Sequence, residues 1–153
     1  MKNIRASWTL IGLLLLAATG LSADVLVASA GAHAIFRFDH VTGAYISQFD
    51  QTELVGKSLG YPNGLEFGPD GNLYTATTDS GFNSQIQRFD PITGKLLASF
   101  GALPQTRGMT IGPDGLVYVS AFNVDQIWRY DPVTGVFVDV YLRIEPGISR
   151  GGV

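Results

Sequence analysis

Downstream of residue 24 the apolar positions come in runs of only four or five residues, each broken by Gly, Pro, Asp or Asn. Between Asn63 and Phe100 four such runs stand out: Leu65–Gly68, Leu73–Thr77, Ile86–Phe89 and Leu96–Phe100. Tyr, Phe, Val, Ile and Thr dominate them, the residue types that suit a pleated, half-buried surface. No stretch of this region keeps a helical period. The breaks are turn sequences. Gly68-Pro69-Asp70-Gly71 joins the first run to the second, and Asp90-Pro91-Ile92-Thr93-Gly94 joins the third to the fourth. Pro presets φ, Asp bonds back to the chain, and Gly accepts a positive φ. The pattern predicts four antiparallel strands, A to D.

The same pattern recurs. Arg107 to Tyr141 repeats it with the turns Gly112-Pro113-Asp114-Gly115 and Asp131-Pro132-Val133-Thr134-Gly135, and Asp24 to Phe49 matches its later two thirds. Gly64, Gly108 and Gly151 open successive units at spacings of 44 and 43 residues. Four antiparallel strands per roughly 40–45 residues are the signature of a β-propeller blade. The expected fold is therefore all-β: about three blades of four-stranded antiparallel sheets, an incomplete ring of a six-bladed type. Repeats at 24–49, 63–100 and 107–141 are followed by the start of another at 150. Rings usually have about four to eight blades. Either the sequence is the N-terminal piece of a longer chain, the favoured expectation, or two copies form a homodimer that closes one ring.

Antiparallel order places the A–B and C–D turns at one end of every blade and the B–C and D–A connections at the other. The first end carries near-identical turns. The second carries connections that differ between copies: Ser29–Ala34, Thr78–Gln85 and Ala121–Gln126 between B and C, with Asp50–Pro62, Gly101–Thr106 and Arg143–Ser149 between D and A. Binding residues concentrate where a rigid scaffold displays variable loops, so any site is expected on this second face.

Residues 1–23 change the picture of location. Lys2 and Arg5 precede an apolar run from Trp8 to Ala18, and Thr19-Gly20-Leu21-Ser22-Ala23 follows. A basic start, a short apolar core and small residues make a signal peptide, about half the length a membrane span needs. The expected location is secreted or periplasmic, with no membrane attachment after cleavage. The chain has no cysteine, so packing rather than disulfides must hold the exported domain. Loss of Lys2 and Arg5 takes the formal charge from −3 to −5. A mildly acidic domain without a basic cluster argues against nucleic acid as a partner.

The combination Gly-Pro-Asp-Gly, then Leu-Tyr or Val-Tyr, then Ile-x-Arg-(Phe/Tyr)-Asp-Pro-x-Thr-Gly resembles NHL-repeat proteins. It also resembles the wider propeller group holding the streptogramin lyases and the gluconolactonase/senescence-marker family. The gluconolactonase resemblance implies a divalent metal held at the channel mouth by a Glu, an Asn and an Asp. Asn63, in Pro62-Asn63-Gly64-Leu65, matches the Asn. The Asp position carries Arg107, which cannot ligate a cation, and the Glu position would fall on a first-blade strand A that this sequence lacks. The resemblance thus leaves Asn63 as a lone metal candidate, with Ca²⁺ the cation its amide oxygen would suit; no cofactor is expected. The lyase resemblance implies a histidine acid/base, for which His33 in the first B–C loop is the candidate. No motif supplies it with a positioned partner.

The remaining candidates are ligand-gripping groups. Arg107 and Arg150 occupy equivalent positions and suit a carboxylate or phosphate. Phe82 and Phe122, in B–C loops, suit the face of a peptide or sugar. Asp79, Asn83, Asn123 and Asp125 are loop oxygens without the spacing of a dedicated cation loop. Arg37, Arg88 and Arg129 recur in every unit with Asp39, Asp90 and Asp131, and what every repeat keeps serves the repeat. Neither a phosphate-binding glycine loop nor a nucleophile elbow occurs. The leading expectation is a non-catalytic exported scaffold that binds protein, peptide or glycan on the B–C/D–A face. The alternatives are a lactonase- or lyase-type enzyme with its site at the channel mouth, and a fragment with no function of its own.

Overall fold

The computed structural model describes residues 24–49 and 59–143. The segment read as a signal peptide, most of the first D–A connection and Arg150 lie outside the described residues. Among these, eleven strands form three antiparallel sheets in simple sequential order. The first sheet comprises β1 (Val25–Ser29), β2 (Ala34–Phe38) and β3 (Tyr45–Gln48). The second comprises β4 (Tyr61–Phe67), β5 (Leu73–Thr78), β6 (Ser84–Phe89) and β7 (Leu96–Leu103). The third comprises β8 (Met109–Ile111), β9 (Val117–Ala121), β10 (Gln126–Tyr130) and β11 (Phe137–Arg143), with one 3-10 turn at Phe122–Val124. These are the blades the sequence pattern predicts.

The turns act as the sequence requires. Asp39 Oδ1 accepts the N–H groups of Val41 (3.0 Å) and Thr42 (2.7 Å), Asp90 those of Ile92 and Thr93 (both 2.8 Å), and Asp131 those of Val133 (2.9 Å) and Thr134 (2.8 Å). Gly43, Gly94 and Gly135 close these turns at φ of 70°, 73° and 72°. Side chains with a Cβ are disfavoured there. The backbone amides hold all three carboxyls below the usual aspartate range, with the Thr42, Thr93 and Thr134 N–H groups the leading cause in each.

Each apolar core lies between two sheets. Ile35 and Phe49 of the first sheet pack with Leu73 and Phe89 of the second. Tyr74, Ala76 and Ile86 on the opposite side of the second sheet pack with Val117, Val119 and Tyr130 of the third. All six residues of β5 are consequently buried, alternate side chains entering alternate cores. Fully burying one large apolar side chain stabilises by about 1.5–3 kcal/mol. Trp128 packs half-buried against the second core.

A second, polar contact is repeated at each junction. Arg37 donates from Nη1 to the Ile92 carbonyl at 2.9 Å and from Nη2 to the Pro91 carbonyl, both in the next blade's C–D turn. Arg88 does the same one blade on, its Nη1 reaching the Pro132 and Val133 carbonyls at 3.4 Å each. Tyr74 is wholly buried; its hydroxyl donates within reach of Asp70 Oδ2 (2.9 Å) and the Pro132 carbonyl (3.1 Å). Burial pushes its phenol up to about 12. The repeated arginines thus tie each blade to its neighbour.

Candidate functional site

The variable connections converge on one cleft of about 380 Å³, lined among others by Ala30, Tyr61, Asn63, Asp79, Phe82 and Arg107. Ala30 comes from the β1–β2 loop, Asp79 and Phe82 from the β5–β6 loop, and Arg107 from the β7–β8 connection. Tyr61 and Asn63 come from the head of β4.

β4 starts four residues earlier than the expected strand A, at Tyr61 rather than Leu65. A break in the β4–β5 register between Asn63 and Glu66 brings this about. Gly64 occupies the break at φ 85°, its carbonyl accepting the Thr75 hydroxyl at 2.7 Å. A Cβ there would meet Met109 of the next blade at 3.4 Å. Bulges of this kind re-aim a side chain beside a site. Here the re-aimed residue is Asn63. Its Nδ2 faces the Tyr61 carbonyl (3.0 Å), the Thr106 carbonyl (3.3 Å) and Thr78 Oγ1 (3.4 Å). That leaves Oδ1 as the atom of Asn63 with no hydrogen bond from the described residues.

A buried hydroxyl network forms the floor. Thr78 Oγ1 and Ser84 Oγ lie 2.8 Å apart, and Ser84 Oγ accepts the Thr106 N–H at 3.1 Å. Thr78, Ser84 and Thr106 are all buried. Satisfied networks of this kind rigidify what they join, here the two ends of the β5–β6 hairpin and the segment that carries Arg107.

Arg107 is exposed, with its backbone N–H on Ser120 Oγ at 3.0 Å. Its guanidinium carbon stands 4.7 Å from the centre of the Phe122 ring. Such stacking contributes about 0.5–1 kcal/mol at an exposed site and orients the fork without using its donors. No carboxylate among the described residues pairs with it. Phe82 is 61% exposed at φ 65°, on a loop organised by Asp79, whose Oδ1 accepts the N–H groups of Gly81 (2.8 Å) and Asn83 (2.9 Å). The Asn83 side-chain amide is the leading cause holding the Asp79 carboxyl below its usual range. A bulky non-glycine residue at positive φ stores strain, and such strain clusters at functional sites.

Of the candidates read from sequence, Asn63, Phe82 and Arg107 line this cleft, and Phe122 joins it by stacking on Arg107. Arg150 lies outside the described residues. His33 is placed otherwise: at φ 54°, with Nδ1 2.9 Å from the Gly60 carbonyl and its ring edge-on to Tyr61, 4.6 Å between centres. Among the described residues no three His, Asp, Glu or Cys side chains gather as metal ligands. Sequence reasoning missed Tyr61 and the network of Thr78, Ser84 and Thr106. Only the recurrence of small hydroxyl residues at strand ends could have hinted at it.

No family model and no curated protein matches the sequence. Solved structures do. Streptogramin B lyase superposes with a TM-score of 0.60 at 18% identity, over 80% of this chain and 38% of that one. Virginiamycin B lyase from Staphylococcus aureus gives 0.58 at 18% identity, over 75% and 36%. Hydrazine synthase from Kuenenia stuttgartiensis gives 0.60 at 16% identity, over 76% and 32%. The chain therefore spans about a third of the length of these proteins. At such identities the likeness concerns architecture: the described residues form part of a β-propeller of the kind streptogramin B lyase adopts.

Proposed function

We propose that this chain is an exported propeller segment, secreted or periplasmic, that binds a protein, peptide or glycan ligand on its variable face without catalysing a reaction on it. The observation that carries the reading is the meeting of Asn63, Phe82 and Arg107 in one cleft, with Phe122 behind the guanidinium. Arg107 offers a forked donor set to an anion. Asn63 Oδ1 offers an acceptor beside it, and Phe82 an exposed ring for an apolar or sugar face. This favours a peptide that presents a carboxylate next to an aromatic or aliphatic side chain. The reading assigns no cofactor, and Asn63 acts as a hydrogen-bond acceptor rather than a cation ligand. A rise of many degrees in unfolding midpoint with Ca²⁺ would oppose that assignment.

The test is a peptide array that varies carboxylate position and neighbouring residue, with a neutral glycan array as the second arm. Acidic peptides should be retained, and Arg107→Ala and Phe82→Ala should each weaken retention at least about tenfold, the loss of one charged or ring contact. Retention of neutral glycans untouched by Arg107→Ala would transfer the reading to sugars. A second reading, a lyase- or lactonase-type enzyme, is favoured by the likeness to streptogramin B lyase. Under the leading proposal, streptogramin and lactone substrates are recovered intact after incubation. Turnover that vanishes in His33→Ala would establish the second reading instead.

A further inference from the structure

The two internal junctions are built alike, and their parts recur, uncovered, on the two outer faces. At the first junction Phe49 is 2% exposed because the next blade's turn lies on it, with Gly94 so close that a Cβ would meet the Phe49 ring at 3.3 Å. At the second, a Cβ on Gly135 would meet Phe100 Cβ at 2.9 Å. The residue in register on the third blade is Tyr141, and it is 57% exposed. Tyr118 and Ile127, in register with the wholly buried Tyr74 and Ile86, are only half-buried. Among the described residues no fourth sheet covers them.

The polar half of the junction is also set. Arg129 stands where Arg37 and Arg88 stand. Its Nη1 lies 3.3 Å from Asp114 Oδ2, as Arg88 Nη1 lies 3.6 Å from Asp70. Its Nε and Nη2 are occupied by Asp139 at 2.8 and 2.6 Å, and its guanidinium carbon stands 5.0 Å from the Tyr141 ring centre. Nη1 also reaches the Tyr118 hydroxyl at 3.3 Å, so a docked turn carbonyl would share these long contacts, as the Pro132 and Val133 carbonyls share Arg88 Nη1 with Asp70.

The first blade carries the complementary surface. Its C–D turn, Asp39 to Gly43, has the same carboxylate staple and the same left-handed glycine as the turns at the closed junctions. Gly43 is exposed where Gly94 is buried, and nothing lies within 4 Å of where its Cβ would be. Phe38 is half-buried where Phe89 is wholly buried.

We infer that the third blade docks the first blade of a second copy of this chain, head to tail. The His40 and Val41 carbonyls would accept from Arg129, and Gly43 would rest on Tyr141. The three described blades of two copies, joined at both outer faces, amount to six, within the range such rings occupy.

The experiment is light scattering on the purified full chain over a hundredfold range of concentration, with two variants. Tyr141→Asp alters a side chain that is mostly exposed in the single chain. Gly43→Asn places a residue that tolerates the left-handed region where the single chain has open space. The inference expects a particle of twice the chain mass. Each variant should weaken association at least tenfold while keeping its circular dichroism and a cooperative unfolding transition. An equal mixture of the two should associate more tightly than either alone, because one of its two junctions is intact. A wild-type monomer at every concentration would overturn the inference, as would a dimer that neither variant disturbs. A ladder of larger species sensitive to both variants would keep the junction and overturn the closure.

Discussion

The two ends of each blade are made from the same chain reversals and do opposite things. At the turn end the blades repeat one another: an aspartate staples each C–D turn, a glycine closes it at φ near 70°, and in the second and third blades an arginine of the preceding blade bonds its carbonyls. In the B–C loops of the other end the residue in positive φ is not glycine but His33, Phe82 or Asp125, different in each blade. Glycine costs nothing in that region and presents no side chain, whereas a non-glycine residue is strained there and does present one. The turn end uses residue identity to join blades. The loop end keeps side chains there, and one of them, Phe82, lines the cleft. Two arginines show the division: Arg88 has its Nη1 on the neighbouring turn, and Arg107 keeps its fork beside the cleft, stacked on Phe122.

Substitutions at the two ends should therefore separate. The largest effect is expected for Tyr74→Ala, which empties a wholly buried site and strips the bonds to Asp70 and the next blade's Pro132. It should destabilise by about 3–5 kcal/mol in urea unfolding. Tyr118→Ala, in register but half-buried, should cost under about 2 kcal/mol when both are measured on the dissociated chain; equal costs there would deny that the neighbouring blade sets the value. Next comes Arg88→Ala, at about 1.5–3 kcal/mol for a charged donor lost from the part-buried Pro132 carbonyl and the exposed Val133 carbonyl.

Acid should act mainly on the turn end. Asp39, Asp90 and Asp131 have folded-state pKa values below those of the unfolded chain. Their contribution is complete above about pH 4–5 and is lost as pH falls through the folded values. Unfolding midpoints should be level from neutral pH down to that point and then fall. Asp70, Asp114 and Asp139 are held low as well, so the triple Asp→Asn variant should flatten part of the decline, and Asp79→Asn at the loop end a smaller part. The smallest effect belongs to Phe82→Asn. Asparagine tolerates the left-handed region, so the variant should gain about 0.5 kcal/mol in stability while losing peptide retention. A loss of stability would show that the Phe82 ring is structural.

The turn end was legible in the sequence because its chemistry is local. Asp, Pro, Thr and Gly at fixed offsets determine a turn without reference to anything distant. Three copies of one spacing then made the sheets and their order readable. Asn63, Phe82 and Arg107 could be named because the strand order sends their segments to one end. Their meeting in one cleft could not, since it depends on the register break at Gly64 and on contacts between blades. The buried network of Thr78, Ser84 and Thr106 was invisible for the same reason: Ser84 and Thr106 are 22 residues apart in sequence. Phe122 was expected in a loop and starts a 3-10 turn, a difference of a few dihedrals that seats it under Arg107.

The most direct test of the division is to measure stability and peptide binding side by side for Arg88→Ala and Arg107→Ala, using urea unfolding and titration with the acidic peptide best retained on the array. The account predicts that Arg88→Ala lowers stability by about 1.5–3 kcal/mol with affinity within about twofold of the parent, while Arg107→Ala leaves stability within about 0.5 kcal/mol and weakens binding at least about tenfold. Loss of stability and binding together in both variants, or binding indifferent to Arg107, would contradict it.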